Sequence, residues 1–110
     1  DGGDQAEVSD QGLLCSYSTK RKITEEEIQG YLNKDYSSYH FPGDRSVIQM
    51  IINEMYALNG YKFQDEDLKN YYEKQDWYNK IESKTTDMAE IYRNMSKTEQ
   101  DNIKLLKEYK

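Results

Sequence analysis

The most regular apolar pattern of the chain lies in the segment Val47-Ile-Gln-Met-Ile-Ile-Asn-Glu-Met-Tyr-Ala-Leu-Asn-Gly60. Its large apolar residues recur at intervals of three and four: Val47, Ile48, Ile51, Ile52, Met55, Tyr56 and Leu58. This spacing predicts an amphipathic helix whose apolar face is wide enough to contact neighbours on two sides. Asp44 or Ser46 is expected to cap its start, and Gly60 suits the left-handed conformation that follows a helix end. We therefore expect this helix to lie at the centre of the molecule.

Capping motifs predict further helices on both sides of this segment. Thr24-Glu25-Glu26-Glu27 and Ser96-Lys97-Thr98-Glu99 are capping boxes, in which a hydroxyl and a carboxylate satisfy the first backbone N–H groups of a helix. Two more helices are expected to begin at polar residues: Asp65 or Gln64, and Thr86 or Asp87. Residues 75–78 are interpreted as an aromatic corner, and residues 79–85 as a polar connection.

Strand signals are nearly absent from the chain. Only residues 13–18 resemble an extended segment, for which two arrangements remain open: lying across the helices, or flexible. The sequence therefore predicts an all-α fold, a compact bundle of four to five short helices with an extended N-terminal segment.

Length and charge exclude several classes of protein. A chain of 110 residues is expected to form one domain. We assign it to residues 13–110, preceded by a flexible acidic tether, residues 1–12, with the composition of a linker that follows a removed signal peptide. The net charge of −6 argues against binding nucleic acid through its phosphates. No stretch approaches the roughly 18 consecutive apolar residues of a transmembrane helix.

Tyrosine is the unusual feature of the composition. Leu, Ile, Val and Phe together supply only 19 residues, whereas the chain has eleven Tyr and one Trp. Because aromatic side chains bury large surfaces, we expect a tyrosine-rich core in which phenolic hydroxyls reach backbone carbonyls, carboxylates or solvent.

The motif Asn53-Glu-Met-Tyr-Ala-Leu-Asn-Gly-Tyr-Lys-Phe63 resembles the YARHG domain family of bacterial extracytoplasmic proteins. Other segments resemble the family in the same order: the entry segment 18–27, Leu68-Lys-Asn-Tyr-Tyr72, Trp77-Tyr78, and the closing helix 96–109 with Glu99, Asn102 and Ile103. The Arg and His of the family name are Leu58 and Asn59 here, and the Arg that usually precedes Asn-Glu is Ile52. Chemistry that needs those side chains is therefore absent.

The resemblance implies an exported protein, secreted or attached to the cell surface, with a lipid or surface anchor upstream of this chain. It supplies no molecular activity. The retained motif residues each have a structural explanation: Asn53, Glu54, Tyr56, Gly60, Phe63, Trp77 and Tyr78.

Candidate catalytic and metal-binding residues are few. His40 is the sole histidine, and Cys15 is expected in a mobile, acid-flanked segment that disfavours the thiolate, so a Cys–His pair is not expected to be catalytic. Cys15 is interpreted as an incidental or buried thiol, and His40 as a loop residue beside Phe41-Pro42. Asp65-Glu66-Asp67 is interpreted as helix-start acids, because consecutive helical side chains diverge and cannot share one ion. We predict no catalytic residue, no metal site and no cofactor. Glu54, on an otherwise apolar helix, is expected to be partly buried with a raised pKa.

Aromatic residues provide the binding candidates. Tyr36, Tyr39, His40 and Phe41 gather on one loop, where exposed rings can stack on sugars or anchor a protein; the alternative is that some of them close the core. The leading hypothesis is a non-catalytic extracytoplasmic module, monomeric or a weak homodimer, that presents a rigid helical surface to a protein or cell-wall partner. The alternatives are a small glycan hydrolase that uses Glu54 with a second carboxylate, and a structural spacer.

Overall fold

The computed structural model describes residues 13–110, and the predicted tether, residues 1–12, lies outside them. The described chain forms six α-helices: α1 (Glu25–Asn33), α2 (Val47–Leu58), α3 (Glu66–Glu73), α4 (Asp76–Asn79), α5 (Met88–Asn94) and α6 (Lys97–Lys107). Two 3₁₀ turns, Ser37–Tyr39 and Pro42–Asp44, join α1 to α2. Residues 13–110 contain no strand, only an isolated bridge between Tyr61 and Thr85. The all-α prediction is confirmed, and the aromatic corner forms the additional short helix α4.

Helix α2 packs against both α1 and α6. Nine of its twelve residues are buried, as the wide apolar face predicts. Ser46 is the cap, since its hydroxyl accepts the N–H of Gln49, whereas Asp44 has a positive φ of 55° in the preceding turn. Gly60 follows the helix with a φ of 89°, and a Cβ there would lie 2.8 Å from the backbone oxygen of Ser83. Both its conformation and this close approach require glycine.

The other helices begin at the residues that the sequence indicates. Both predicted capping boxes are present, at Thr24 and at Ser96. The Asp65 carboxylate caps α3 and the Asp87 carboxylate caps α5, each accepting two backbone N–H groups. The positive end of the helix dipole also stabilises carboxylates at these positions.

Two apolar clusters form the core. The larger one is mainly aliphatic: Cys15, Ile23, Ile28, Val47, Ile48, Ile51, Ile52, Met55, Ile91, Met95, Ile103 and Leu106. The smaller one contains three buried aromatic rings together with three aliphatic or thioether side chains: Phe63, Tyr72, Tyr78, Met50, Ala57 and Leu68. Only Tyr72 and Tyr78 of the eleven tyrosines are buried, so the prediction of a tyrosine-rich core is correct for the smaller cluster alone. Isoleucines of α2 contribute to the larger one, and most tyrosines are partly buried at its margin.

Residues 13–23 lie across the helices and include a turn at residues 16–20. The Glu54 carboxylate holds one end, because it accepts the N–H of Leu14 at 2.8 Å and that of Cys15 at 3.1 Å. The Asn102 side chain holds the other end, since it accepts the N–H of Ile23 and donates to the carbonyls of Ser18 and Arg21. Two long-range anchors, from α2 and α6, therefore fix this segment.

Candidate functional site

The loop between α1 and α2 carries a cluster of three aromatic rings. Ring centroids of Tyr36 and Tyr39 lie 5.0 Å apart, and Phe41 lies 5.9 Å from Tyr36 and 5.6 Å from Tyr39. The predicted candidates Tyr36, Tyr39 and Phe41 are thus brought together. His40 lies between them in sequence but is exposed, in the left-handed conformation that ends the first 3₁₀ turn, and its ring is outside the cluster.

An open groove of about 780 Å³ runs beside these rings. We call it the tyrosine groove, because five tyrosines line it, with apolar and polar side chains completing its walls: Leu13, Leu14, Tyr17, Glu27, Gly30, Tyr31, Lys34, Tyr36, Tyr39, Tyr71 and Gln75. Tyr39 is 46% exposed, one of two large apolar side chains in residues 13–110 that face solvent to this extent, with Leu32. The Tyr39 ring therefore presents surface that the core does not use, whereas Tyr36 and Phe41 are partly buried against the larger apolar cluster, as the alternative interpretation of the loop predicts.

A second, smaller groove of about 510 Å³ lies next to the first and shares Tyr31, Lys34 and Tyr36 with it. His40 and Phe41 line this second groove. All four predicted binding residues therefore border one of the two grooves, and Tyr36 borders both. The nitrogen of Lys34 lies 5.3 Å from the centroid of the Tyr36 ring and 5.8 Å from that of Tyr39. These distances are within the range of cation–π attraction.

One wall of the tyrosine groove is held by hydrogen bonds to the N-terminal segment. The Tyr31 hydroxyl donates to the carbonyl of Leu14 at 3.0 Å, on the residue whose N–H is bound by Glu54. Nearby, the Arg21 guanidinium lies 3.9 Å from the centroid of the Tyr17 ring and pairs with the Glu27 carboxylate at 2.7 Å. That pairing, together with the backbone N–H of Thr24, lowers the pKa of Glu27 to about 2. The wall is therefore ordered without a ligand.

Glu54 is a buried carboxyl group that forms no ion pair within the described chain. The residue is 3% exposed, and burial raises its pKa from 4.5 to about 7, although the N–H groups of Leu14 and Cys15 oppose the rise. The predicted burial and direction of the shift are both seen. Because both oxygens accept backbone N–H groups, the arrangement suits an anchor for the chain better than a general acid, which must reach its substrate.

Cys15 is a buried thiol, which is one of the two predicted alternatives, but its segment is not the mobile one that was expected. The residue is 1% exposed and lies in the larger apolar cluster. Burial raises the pKa of its thiol, so the thiolate is disfavoured by loss of hydration and only secondarily by the charge of Glu54. The sequence pattern did not reveal that this segment is ordered, because Glu54, which binds the Cys15 N–H, is 39 residues away.

The remaining motif residues make contacts within the fold. The Asn53 amide oxygen accepts from Gln49, and the Phe63 ring stacks on Tyr72 at 4.7 Å. Tyr78 donates to the carbonyl of Tyr61 at 2.7 Å. The Tyr56 ring meets Tyr61 edge to face, and Trp77 is half-buried against the smaller cluster.

Most residues that border the tyrosine groove were not among the sequence candidates, and three of them could contribute rings or charge to binding: Tyr17, Lys34 and Tyr71. They come from the N-terminal segment, the end of α1 and helix α3, and only the fold brings them together. A tyrosine or lysine at the solvent edge of an amphipathic pattern is too common a signal to have identified them.

Acidic clusters in the described chain serve as caps. Asp65 accepts the N–H groups of Asp67 and Leu68 and pairs with Arg45 at 3.2 Å. Residues 13–110 contain no group of three or more His, Cys, Asp or Glu side chains placed to hold a metal ion. No helix in this part of the chain has both the length and the apolar character needed to cross a bilayer.

Comparison with known proteins connects this structure to a family. The family model of the YARHG domain matches residues 20–110, which include helices α1 to α6 and most of the residues that line the two grooves. Neither the curated proteins nor the solved structures contain a match to the chain. Because the matched region covers most of the sequence, the chain belongs to the YARHG domain family.

Proposed function

We propose that the chain is a non-catalytic extracytoplasmic interaction module, which presents the tyrosine groove to a protein or cell-wall partner. The observation that carries this proposal is the position of Tyr36, Tyr39 and Phe41: three rings in mutual contact, of which Tyr36 and Tyr39 line the tyrosine groove and Phe41 lines the second groove beside it. Aromatic side chains in such positions commonly anchor ligands, because they offer a large contact area at a small cost in conformational entropy.

The ordering of the groove supports the same proposal. Hydrogen bonds from Tyr31 and to Glu54 fix the wall formed by Leu14, so little of the binding free energy is spent on ordering the site. The extracytoplasmic location is proposed from family membership, and surface digestion of intact cells with a protease would test it.

Retention by the isolated domain tests the binding role. The domain, immobilised on resin, is exposed to fractionated cell-envelope material, and the Tyr36→Ala, Tyr39→Ala double variant is compared with Tyr109→Ala. Tyr109 is half-buried near the end of the chain and borders neither groove, so it is a matched control. We expect the double variant to lose at least about tenfold in retention, since two anchoring rings are removed. Equal retention by both variants would refute the role of the groove.

A hydrolase that uses Glu54 is the second candidate, favoured only by the pKa of about 7. Its test is a glycan-cleavage assay of the Glu54→Gln variant. Activity in the native protein that disappears in a folded variant would establish catalysis and replace the proposal above.

A further inference from the structure

Lys34 provides a cation at the boundary of the two grooves. Its nitrogen lies against the rings of Tyr36 and Tyr39, and within residues 13–110 it forms no ion pair. The other charged side chain of the tyrosine groove, Glu27, is engaged by Arg21 at 2.7 Å. Lys34 is therefore the groove's ammonium group that a ligand anion can reach without breaking an existing pair.

The rings beside Lys34 suit a ligand with small apolar faces and a polar rim. They are tilted by 32° to 59° from one another, so they form a curved surface and not one flat platform. Each ring has an electron-rich face, which attracts polarised C–H groups. A sugar ring presents C–H groups on its face and hydroxyls at its edge, where the phenolic hydroxyls of tyrosine can bond with them.

A protein partner fits this surface less well. A standard protein interface buries about 800 Å² on each side around an apolar centre. In the described chain only Leu32 and Tyr39 are large apolar residues that face solvent freely, which is too little for such a centre.

Charge restricts the ligand further. The chain carries −6, so a polymer with a phosphate on every monomer, such as a nucleic acid, is repelled at long range more strongly than one whose charges are separated by neutral sugars. A carboxylate held at Lys34 with a neutral sugar on each side reduces this repulsion and forms a charge-assisted hydrogen bond.

We propose that the tyrosine groove and the second groove beside it bind one glycan strand with carboxylates separated by neutral sugars, whose sugar rings lie on Tyr36, Tyr39 and Phe41 while one carboxylate meets Lys34. The inference rests on the proposed function and names the ligand class of the same site. Bacterial wall glycan freed of its peptides, in which carboxylate-bearing and neutral sugars alternate, has this chemistry.

Calorimetry with two probes tests the proposal: peptide-free glycan strands, and the same strands with their carboxylates converted to amides. We expect the native protein to bind the carboxylate strands about tenfold more tightly than the amidated ones, the size of one charge-assisted contact. Lys34→Gln should lose that preference and bind both strands as the native protein binds the amide. Lys104→Gln is the matched control, because Lys104 is exposed, forms no ion pair in residues 13–110 and borders neither groove.

The outcomes separate this inference from the proposed function. Equal affinity of the native protein for both strands would show that no ligand carboxylate binds Lys34, which overturns the inference. If neither strand binds while envelope proteins are retained through Tyr36 and Tyr39, the glycan assignment is wrong and the binding role stands. If nothing is retained through these tyrosines, both proposals fail.

Discussion

Replacing Glu54 with glutamine is expected to change how stability depends on pH. Burial raises the pKa of Glu54 from 4.5 to about 7 in the folded protein, so the folded state holds its proton more tightly than the unfolded chain does. Stability is therefore highest when the group is protonated in both states, and it falls as the pH rises from 4.5 through about 7. Above about pH 7 the protonated form of Glu54 no longer contributes to stability.

The size of the effect follows from the same two values. A rise in pKa from 4.5 to about 7 corresponds to about 3 kcal/mol of lost stability across the window. The glutamine amide does not titrate, so this loss disappears in the variant. The amide also provides one acceptor oxygen where the carboxylate provides two for Leu14 and Cys15, which costs about 1 to 3 kcal/mol at every pH.

Urea unfolding, followed by fluorescence of the single residue Trp77, measures both effects. The difference in unfolding free energy between the Glu54→Gln variant and the native protein should shift by about 3 kcal/mol in favour of the variant from below pH 4.5 to above pH 7. Glu82→Gln is the control, since its side chain is exposed in the connection after α4, and it should follow the native profile. Parallel profiles for the native protein and Glu54→Gln would refute a buried Glu54 carboxyl group whose pKa is raised in the folded protein.

Three further substitutions test the contacts that hold the fold. Asn102→Ala should lower the unfolding free energy by about 3 kcal/mol in urea titrations, because the N–H of Ile23 and two carbonyls lose their partner; a loss below about 1 kcal/mol would contradict the anchor. Gly60→Ala should cost more than about 2 kcal/mol, since its φ is 89° and a Cβ would meet the oxygen of Ser83, and unchanged melting by circular dichroism would show that the backbone adjusts freely. Trp77→Ala should cost about 3 kcal/mol in thermal unfolding through lost packing with Tyr72 and Tyr78, while a loss below about 1 kcal/mol would indicate that the ring contributes little to the smaller cluster.

Local chemistry made the helices predictable from sequence. A capping box acts within four residues, so Thr24 and Ser96 could be identified without knowing the rest of the fold. The start of α2 has two possible caps, and the local sequence does not show which of them is used. Asp44 and Ser46 are both good caps, and only the positive φ of Asp44 in the structure excludes it.

Long-range contacts account for what the sequence did not reveal. The N-terminal segment is ordered by Glu54 and Asn102, which lie 39 and 79 or more residues from their partners. The residues of the tyrosine groove also divide into those close in sequence, which were predicted, and those brought together by long-range packing, which were not. Tyr36 and Tyr39 are close in sequence and their cluster was predicted, whereas Tyr71 reaches the tyrosine groove only through the packing of α3.

The position of the tyrosines links stability to the proposed binding surface. A buried tyrosine hydroxyl is stabilised by a protein partner, as that of Tyr78 is by the carbonyl of Tyr61, and such partners are few in an aliphatic core. At the margin, a ring can pack on isoleucines while water satisfies the hydroxyl. A chain with a mean hydropathy of −1.12 thus gains apolar contact without many buried hydroxyls, and it leaves ring edges and faces along a groove. Because Glu54 and Tyr31 hold the segment that forms one wall, the contacts that stabilise the fold also preserve the shape of this surface.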